Sequence, residues 1–379
     1  MKRGYDMIYL DYAANTPVHE DVLKTFANIS TEYIANPNAS HALGKEAKIR
    51  LDEATESIAH LLGVKKSEVI YTSGATESNN LAIKGIAHKY KRNGKHIITT
   101  YLEHSSVTST VAALQNEGYE IDFVDLLDNG EIDLEHLKEL LRPDTILVSV
   151  SYVDSELGIK QPLEKIREVL TAYPNCFFHI DATQAIGKMP VNLEPVDLVT
   201  FTPHKFYGLN GCGILIKKEK VLLDPLIHGG VSTTAFRSGT PTLSLIVSTE
   251  KALALALPEM EERYAYVEEL NKRLREKLSK YSNIHMNSPK EASPFILNFS
   301  VRGTSAAALQ QNLEEAEIYV ATKSACCTLN TPSRPVYAIT KDRKLALSTL
   351  RISLSHLTTK QEIETFLEWF DKSYKKLIK

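Results

Sequence analysis

Between about residues 69 and 216, short runs rich in β-branched and aromatic residues alternate with longer stretches whose apolar residues recur three and four apart. The short runs, at 69–71, 96–99, 121–124, 146–150, 177–180 and 198–201, read as strands, because three to five mainly apolar residues suit a buried extended segment. Among the longer stretches, 133–141 places leucines at 134, 137, 140 and 141, which is one face of a helix. This alternation predicts an α/β fold with a mostly parallel sheet covered by helices.

After Pro258 the pattern changes. A charged amphipathic helix is expected over 259–281, then a strand over 295–301, a helix over 306–313, a strand over 318–320 and a final helix after Thr358 and Thr359. These elements describe a smaller α+β lobe, joined to the first by the long helix. No repeat, low-complexity tract or flexible linker interrupts the chain.

The 379 residues suffice for two lobes with separate cores, and 43% hydrophobic with 24% charged residues argues against disorder. Forty-four basic against forty-seven acidic side chains give a formal charge of −3, so no bulk field favours nucleic acid or an anionic membrane. The first seven residues lead into Ile8-Tyr9-Leu10-Asp11, too short and charged for a signal-peptide core, and no run approaches the ~18 apolar residues of a membrane span. Four cysteines without framework spacing fit a cytoplasmic protein. Cys176 and Cys212 lie in apolar surroundings and are expected to be buried, whereas the adjacent Cys326 and Cys327 suit neither a disulfide nor a zinc site.

Two segments carry candidate chemistry. Phe178-His179-Ile180-Asp181 ends an apolar strand in a carboxylate, at the sheet edge where open α/β folds bind ligands. Downstream, Lys205 sits in His204-Lys205-Phe206-Tyr207-Gly208, a tight turn into the next strand. A lysine amine forms Schiff bases and an aspartate can hold a pyridinium nitrogen protonated, the pairing that pyridoxal 5′-phosphate (PLP) requires. A solvated lysine and a structural aspartate are the alternatives for each residue taken singly. Thr72-Ser73-Gly74-Ala75-Thr76-Glu77 follows a strand and opens a helix, which places backbone N–H groups where a phosphate can be held or simply caps the helix. His104 follows the strand at 96–99, where an imidazole could stack on a planar cofactor and move protons. The polar stretch 324–332, just after a strand, puts Cys326 and Cys327 on an expected mobile loop.

Taken in order, Ile8-Tyr9-Leu10-Asp11-Tyr12-Ala13-Ala14, Asn36-Pro37, the 72–77 segment, Glu103-His104, Asp181-Ala182-Thr183-Gln184, His204-Lys205, Arg237-Ser238-Gly239-Thr240 and Ser324-Ala325-Cys326 resemble the motifs of the group I cysteine desulfurases, PLP enzymes of the class V aminotransferase family. The resemblance runs nearly end to end. It implies a mostly parallel seven-stranded sheet flanked by helices in a large domain over 15–257, and a small domain made of 1–14 and 258–379 that carries the cysteine loop. It also implies a homodimer with the active site at the interface, and conversion of L-cysteine to L-alanine with sulfur passed to Cys326 as a persulfide. A sulfur-acceptor protein would then serve iron–sulfur cluster assembly or tRNA or thiamine thiolation, with no direct nucleic-acid contact.

Carried over position by position, the resemblance makes Lys205 the Schiff-base lysine, Asp181 the partner of the pyridine nitrogen, and His104 the stacking residue and proton carrier. Gln184 and Ser155 face the cofactor's phenolic oxygen. Ala75, Thr76, Thr202 and His204 hold the phosphate, with Thr240 reaching across from the second subunit, and Asn36, Arg351 and Ala13 meet the substrate. Three positions depart from the family's pattern. Ser155 replaces an asparagine, Cys327 replaces a threonine, and the 228–237 segment lacks a third glycine and the acidic residue expected to pair with Arg237. Alternatives are a selenocysteine lyase or another class V transaminase and, from a different class, a non-catalytic scaffold paralogue.

Overall fold

The computed structural model describes residues 7–323 and 331–378. After β1 (Ile8–Tyr9), seven strands form the central sheet: β2 (Val69–Thr72), β3 (His96–Thr99), β4 (Glu120–Phe123), β5 (Thr145–Ser151), β6 (Phe177–Asp181), β7 (Leu198–Phe201) and β8 (Gly213–Lys217). Their order is β2-β8-β7-β6-β5-β3-β4, with β8 antiparallel to both neighbours and every other pairing parallel. Every residue of β2, β3, β5, β7 and β8 is buried, so these strands read as continuous apolar runs, as a sheet covered on both faces requires.

Alternate strand residues supply two separate cores. Val148, Phe178, Ile180 and Ile214 pack with Leu51 and Ile58 of the helix Ala42–Leu62 and with Ile246 and Leu253 of the helix Leu243–Ala256. On the opposite face Ile70, Ile97, Leu147 and Leu215 meet Ile83 and Ile86 of the helix Ala75–Lys89 and Val111 of the helix Ser105–Asn116.

The C-terminal part builds a third core on an antiparallel sheet of β9 (Ile284–Met286), β10 (Ile296–Val301) and β12 (Thr349–Ser353), in the order β12-β10-β9. A short strand, β11 (Ile318–Tyr319), pairs in parallel with β1, and this carries Ile8 and Leu10 into the same core as Phe299, Leu350 and Phe370. The long helix Met260–Leu278 contributes Val267, Leu270 and Leu274 to this core, and Tyr264 at its start touches the core of the large sheet as well.

The strands and helices expected from the sequence are present within a few residues of their expected limits. The helices Glu20–Glu32, Ala42–Leu62 and Leu243–Ala256 were not among the expected elements, nor were β9, β12 and the helices Arg334–Thr340 and Arg343–Leu347; the last two helices and β9 are too short to show a period, whereas β12 alternates polar and apolar residues. Cys176 and Cys212 are buried, and burial pushes their thiols up to about 12 and about 11. Cys326 and Cys327 lie outside the described residues. Among the described residues no helix is long and apolar enough to cross a membrane, and no cluster of three acidic, histidine or cysteine side chains could hold a metal.

Phe370 is the hub of the small core: fully buried, with ring centroids 5.5 Å from Tyr281, 5.7 Å from Phe299 and 5.9 Å from Phe366. Phe370→Ala is expected to destabilise the protein by about 3–5 kcal/mol, read from the shift of the urea midpoint. A shift worth less than about 1 kcal/mol would show that this core does not depend on that ring.

Candidate active site

The C-terminal ends of β5, β6 and β7 open onto a cavity of about 390 Å³, which Ser151, Asp181 and Thr202 reach directly. This is the strand edge at which parallel sheets present ligand sites. Asp181 is 6% exposed; its Oδ2 accepts from Asn79 Nδ2 at 2.7 Å and its Oδ1 from the Thr183 amide at 3.0 Å. Two donors leave acceptor capacity on a buried carboxylate, which suits a cationic ring N–H on the cavity side.

Lys205 ends the short 3₁₀ turn Pro203–Lys205 after β7 and lines the same cavity. Its Nζ donates to the carbonyls of Ala13 (2.8 Å) and Ala14 (2.5 Å), which come from the N-terminal segment. Gln184 Nε2 donates to the Ala13 carbonyl at 2.9 Å, and its Oε1 accepts from Lys188 Nζ at 2.9 Å. Burial, helped by the charges of Lys205 and Arg351, pulls the Lys188 ammonium down to about 7.

One recess of the cavity lies where β2 runs into the helix Ala75–Lys89. Gly74 caps this helix without a side-chain hydrogen bond, and Gly74, Ala75 and Thr76 line the cavity. Gly213 on β8 permits that approach, because a Cβ built there would sit 2.4 Å from the Gly74 carbonyl carbon. Across the recess Thr202 Oγ donates to the Cys212 carbonyl at 2.8 Å and stands 2.9 Å from His204 Nδ1. Burial and the neighbouring Lys205 and Lys188 charges push His204 down to about 4.

Arg351, on β12, enters from the small lobe. It is 1% exposed, gives Nη2 to Asp11 Oδ1 at 2.5 Å and Nη1 to the Ser155 carbonyl at 2.8 Å, and its buried Nε has no hydrogen-bond partner among the described residues. His104 lines the cavity as the N-cap of the helix Ser105–Asn116, with Nδ1 turned to Ser106. Behind it, burial raises Glu103 to about 7 against the hydrogen bonds from Thr100 and Ser151.

The cavity thus gathers Lys205, Asp181, His104, Gln184, Ala75, Thr76, Thr202, His204, Ser155, Arg351 and Ala13, each named from the sequence. It does not gather Asn36 or Thr240. Asn36 Oδ1 accepts from the Asn38 amide, and Asn38 Nδ2 reaches Ser232 Oγ at 2.8 Å, so Asn36 stands beside the 228–240 segment. Arg237, without the acidic residue expected near it in the 228–237 segment, pairs instead with Glu77, its Nε 2.9 Å from Glu77 Oε1. Burial pushes the Glu77 carboxyl up, but the bonds from Arg237 and Ser73 outweigh it and hold the group below the usual carboxylate range. Sequence reasoning missed Asn79, Ser106, Lys188 and Asp11. Of these only Asn79 carried a local signal, one turn into the helix after the 72–77 segment and facing the sheet.

These donors fit PLP. Asp181 meets the ring nitrogen's needs, Lys205 the carbonyl's, and the uncapped helix start the phosphate's. Thr183 Oγ on the cavity wall and Arg351 Nε, both buried and without a hydrogen-bond partner among the described residues, indicate a polar occupant.

The profile of the class-V aminotransferases matches residues 8–366. The chain is 39% identical to the cysteine desulfurase IscS of Glaesserella parasuis over 98% of its own length and 93% of that protein. Among solved structures, a NifS-like protein superposes with a TM-score of 0.92 at 33% identity, covering 98% of this chain and all of the other. SspA in complex with cysteine superposes at 0.82 with 31% identity, over 93% of this chain and all of the other. The chain belongs to the class-V aminotransferase family of PLP enzymes.

Proposed function

We propose that this chain is a cysteine desulfurase, which converts L-cysteine to L-alanine and passes the sulfur to Cys326 and then to an acceptor protein. The observation that carries the reading is the meeting of Lys205, Asp181 and Arg351 in one cavity, beside the point where the Cys326 segment departs. Ala321 and Arg351 exchange backbone hydrogen bonds, and Lys323 Nζ donates to the Thr331 carbonyl at 2.7 Å, so the chain enters 324–330 just after a contact with the arginine and its two sides are tied to each other. The similarity to relatives named cysteine desulfurase and to a structure holding cysteine supports the same reaction.

Bound PLP supplies a carbonyl that captures the substrate amine and a ring that accepts electrons from Cα. The protein's residues do the rest. Asp181 keeps the ring nitrogen protonated, and the Arg351 guanidinium, already desolvated, takes the substrate carboxylate. With PLP bound, Lys205 Nζ, beside the Ala13 and Ala14 carbonyls, would act as the neutral amine that removes the Cα proton. The Cys326 thiolate then attacks the substrate sulfur. The sulfur–sulfur bond forms as the Cβ–S bond breaks, and protons returned to the carbon skeleton complete alanine, so that cysteine and enzyme thiol become alanine and enzyme persulfide.

The homodimer belongs to this proposal. Ile34 is 80% exposed and Val231 78%, and Thr240 is positioned away from its own chain's cavity, as a residue serving a second subunit would be. A cytoplasmic setting also belongs to it, because persulfide delivery needs reducing surroundings and Cys176 and Cys212 are unpaired.

Purified protein given L-cysteine and a reductant is expected to form alanine and sulfide in equal amounts, to lose both in Cys326→Ala, and to keep at least part in Cys327→Ala. Alanine formation unaffected by Cys326→Ala would remove the assigned sulfur acceptor, and turnover on selenocysteine alone would replace the reaction. Gly213→Ala is expected to push the Gly74 loop into the phosphate recess and weaken PLP binding by roughly ten-fold or more, measured by titrating apoprotein. Sedimentation is expected to give twice the chain mass of 42.3 kDa, and a monomer with full activity would rule out a role for Thr240 across an interface.

A further inference from the structure

His104 Nδ1 accepts the backbone N–H of Ser106 at 3.1 Å. A ring nitrogen that accepts from an amide carries no proton of its own, so the neutral ring holds its proton on Nε2. A second contact to Nδ1 agrees. Ser106 Oγ lies 2.8 Å from His104 Nδ1 and 2.8 Å from Asn79 Nδ2. Asn79 is fully buried, and the same Nδ2 donates to Asp181 Oδ2 at 2.7 Å. Only the NH2 end of an amide can face a carboxylate, so Asp181 decides which way Asn79 points. Both protons of that NH2 are then engaged, one by Asp181 and one by Ser106 Oγ. The serine oxygen is an acceptor on that side, and its own proton is directed at His104 Nδ1.

We propose that Asn79 and Ser106 are positioning residues that transmit the orientation of Asp181 to His104 and hold its ring in the Nε2–H form, so that His104 meets the reacting groups as a hydrogen-bond donor. The proposal rests on the function proposed above and assigns the part played by this histidine within it. Proton uptake by His104 would have to occur at Nδ1, against two donors and away from the cavity. Burial opposes it first; the charges of Lys205 and Arg334 oppose it, those of Asp181 and Glu156 favour it, and the balance lies below the ordinary histidine value. A neutral imidazole polarising a substrate through N–H is an established catalytic device, and it leaves base duty at Cα to the Lys205 amine.

The test is a ¹H–¹⁵N correlation spectrum of the PLP-loaded protein with labelled histidine, with His104 identified by the signal lost in His104→Gln. At neutral pH the expected signature is a protonated Nε2 and an unprotonated, hydrogen-bonded Nδ1. A proton on Nδ1, or a doubly protonated ring, overturns the proposal. Asn79→Ala strips a buried carboxylate of a donor and can fail to fold, so Ser106→Ala carries the second arm. It should raise the pH at which His104 titrates and lower kcat by roughly ten-fold with little change in KM for L-cysteine, and Ser106→Thr should restore both. An unchanged His104 titration in Ser106→Ala also overturns it. A protein that shows the Nε2–H signature yet makes no alanine loses the desulfurase reading and keeps this one, whereas alanine formation with Nδ1 protonated does the reverse.

Discussion

A carboxylate 6% exposed at the end of a buried strand is the constraint around which the site is arranged. Strand β6 is the fourth of seven in the sheet order, so Asp181 has three strands on either side and no route to bulk water along the sheet. A buried charge with too few donors is strongly destabilising, and the fold answers with Asn79 from one helix and the Thr183 amide from the loop that follows. Two residues earlier on the same strand face, His179 bridges Ser149 of β5 and Thr200 of β7 at 2.8 and 3.1 Å, and burial holds it below the ordinary histidine range. A neutral, strand-linking imidazole beneath a charged aspartate keeps that column rigid without adding a second charge. Asn79 also ties two functions to one helix, since the N-terminus of Ala75–Lys89 forms the phosphate recess and its second turn solvates Asp181.

At Ala13 the two lobes are joined through main chain. The Ala13 N–H donates to Ser353 Oγ of the small lobe at 2.9 Å, while its carbonyl accepts from Lys205 and Gln184 of the large one. The lysine is therefore positioned by main chain that belongs to the small-lobe core through Ile8 and Leu10. The turn carrying it is held a second way. Tyr207 adopts φ 68°, a left-handed conformation unfavourable for an aromatic residue, and is gripped at both ends, by Thr16 Oγ on its amide at 2.8 Å and Ser355 Oγ on its hydroxyl at 2.5 Å. Contacts from residues 16 and 355 thus select the backbone that aims Lys205.

Lys205, Asp181, His104 and the 72–77 segment were legible because each lies where a strand of clear pattern ends, and the chemistry of a Schiff-base lysine with an aspartate is narrow. The residues that support them were not, because their partners are remote in sequence. Asn79 meets Asp181 102 positions away and Asp11 meets Arg351 340 positions away, whereas Lys188 bonds Gln184 only four residues earlier and escapes notice because its burial is set by the packing of the whole fold. Arg351 entered only through resemblance, although Thr349-Leu350-Arg351-Ile352-Ser353 alternates polar and apolar residues as a strand does; five residues of alternation mark a strand and say nothing of a buried guanidinium in a cavity. The missing acidic residue near Arg237 misled for the same reason, because Glu77 replaces it from 160 positions away.

Arg351 shows why a departure at Ser155 leaves this part of the site intact. A guanidinium 1% exposed has to be solvated by the protein before any substrate arrives, and Asp11 with the Ser155 carbonyl does so from two sides. The second partner is main chain, so replacing asparagine by serine at 155 changes nothing that Arg351 touches. Because the group is already dehydrated and its Nε has no partner among the described residues, a substrate carboxylate bound as proposed would gain a charge-assisted hydrogen bond without the arginine first shedding water. Asp11 meanwhile keeps one arm of the fork, which restricts the directions from which a carboxylate can approach. The consequence of serine at 155 is confined to the cofactor side of the cavity, where its shorter side chain leaves the amide of Gln184, held by Lys188, as the group that faces the phenolic oxygen in the proposed arrangement.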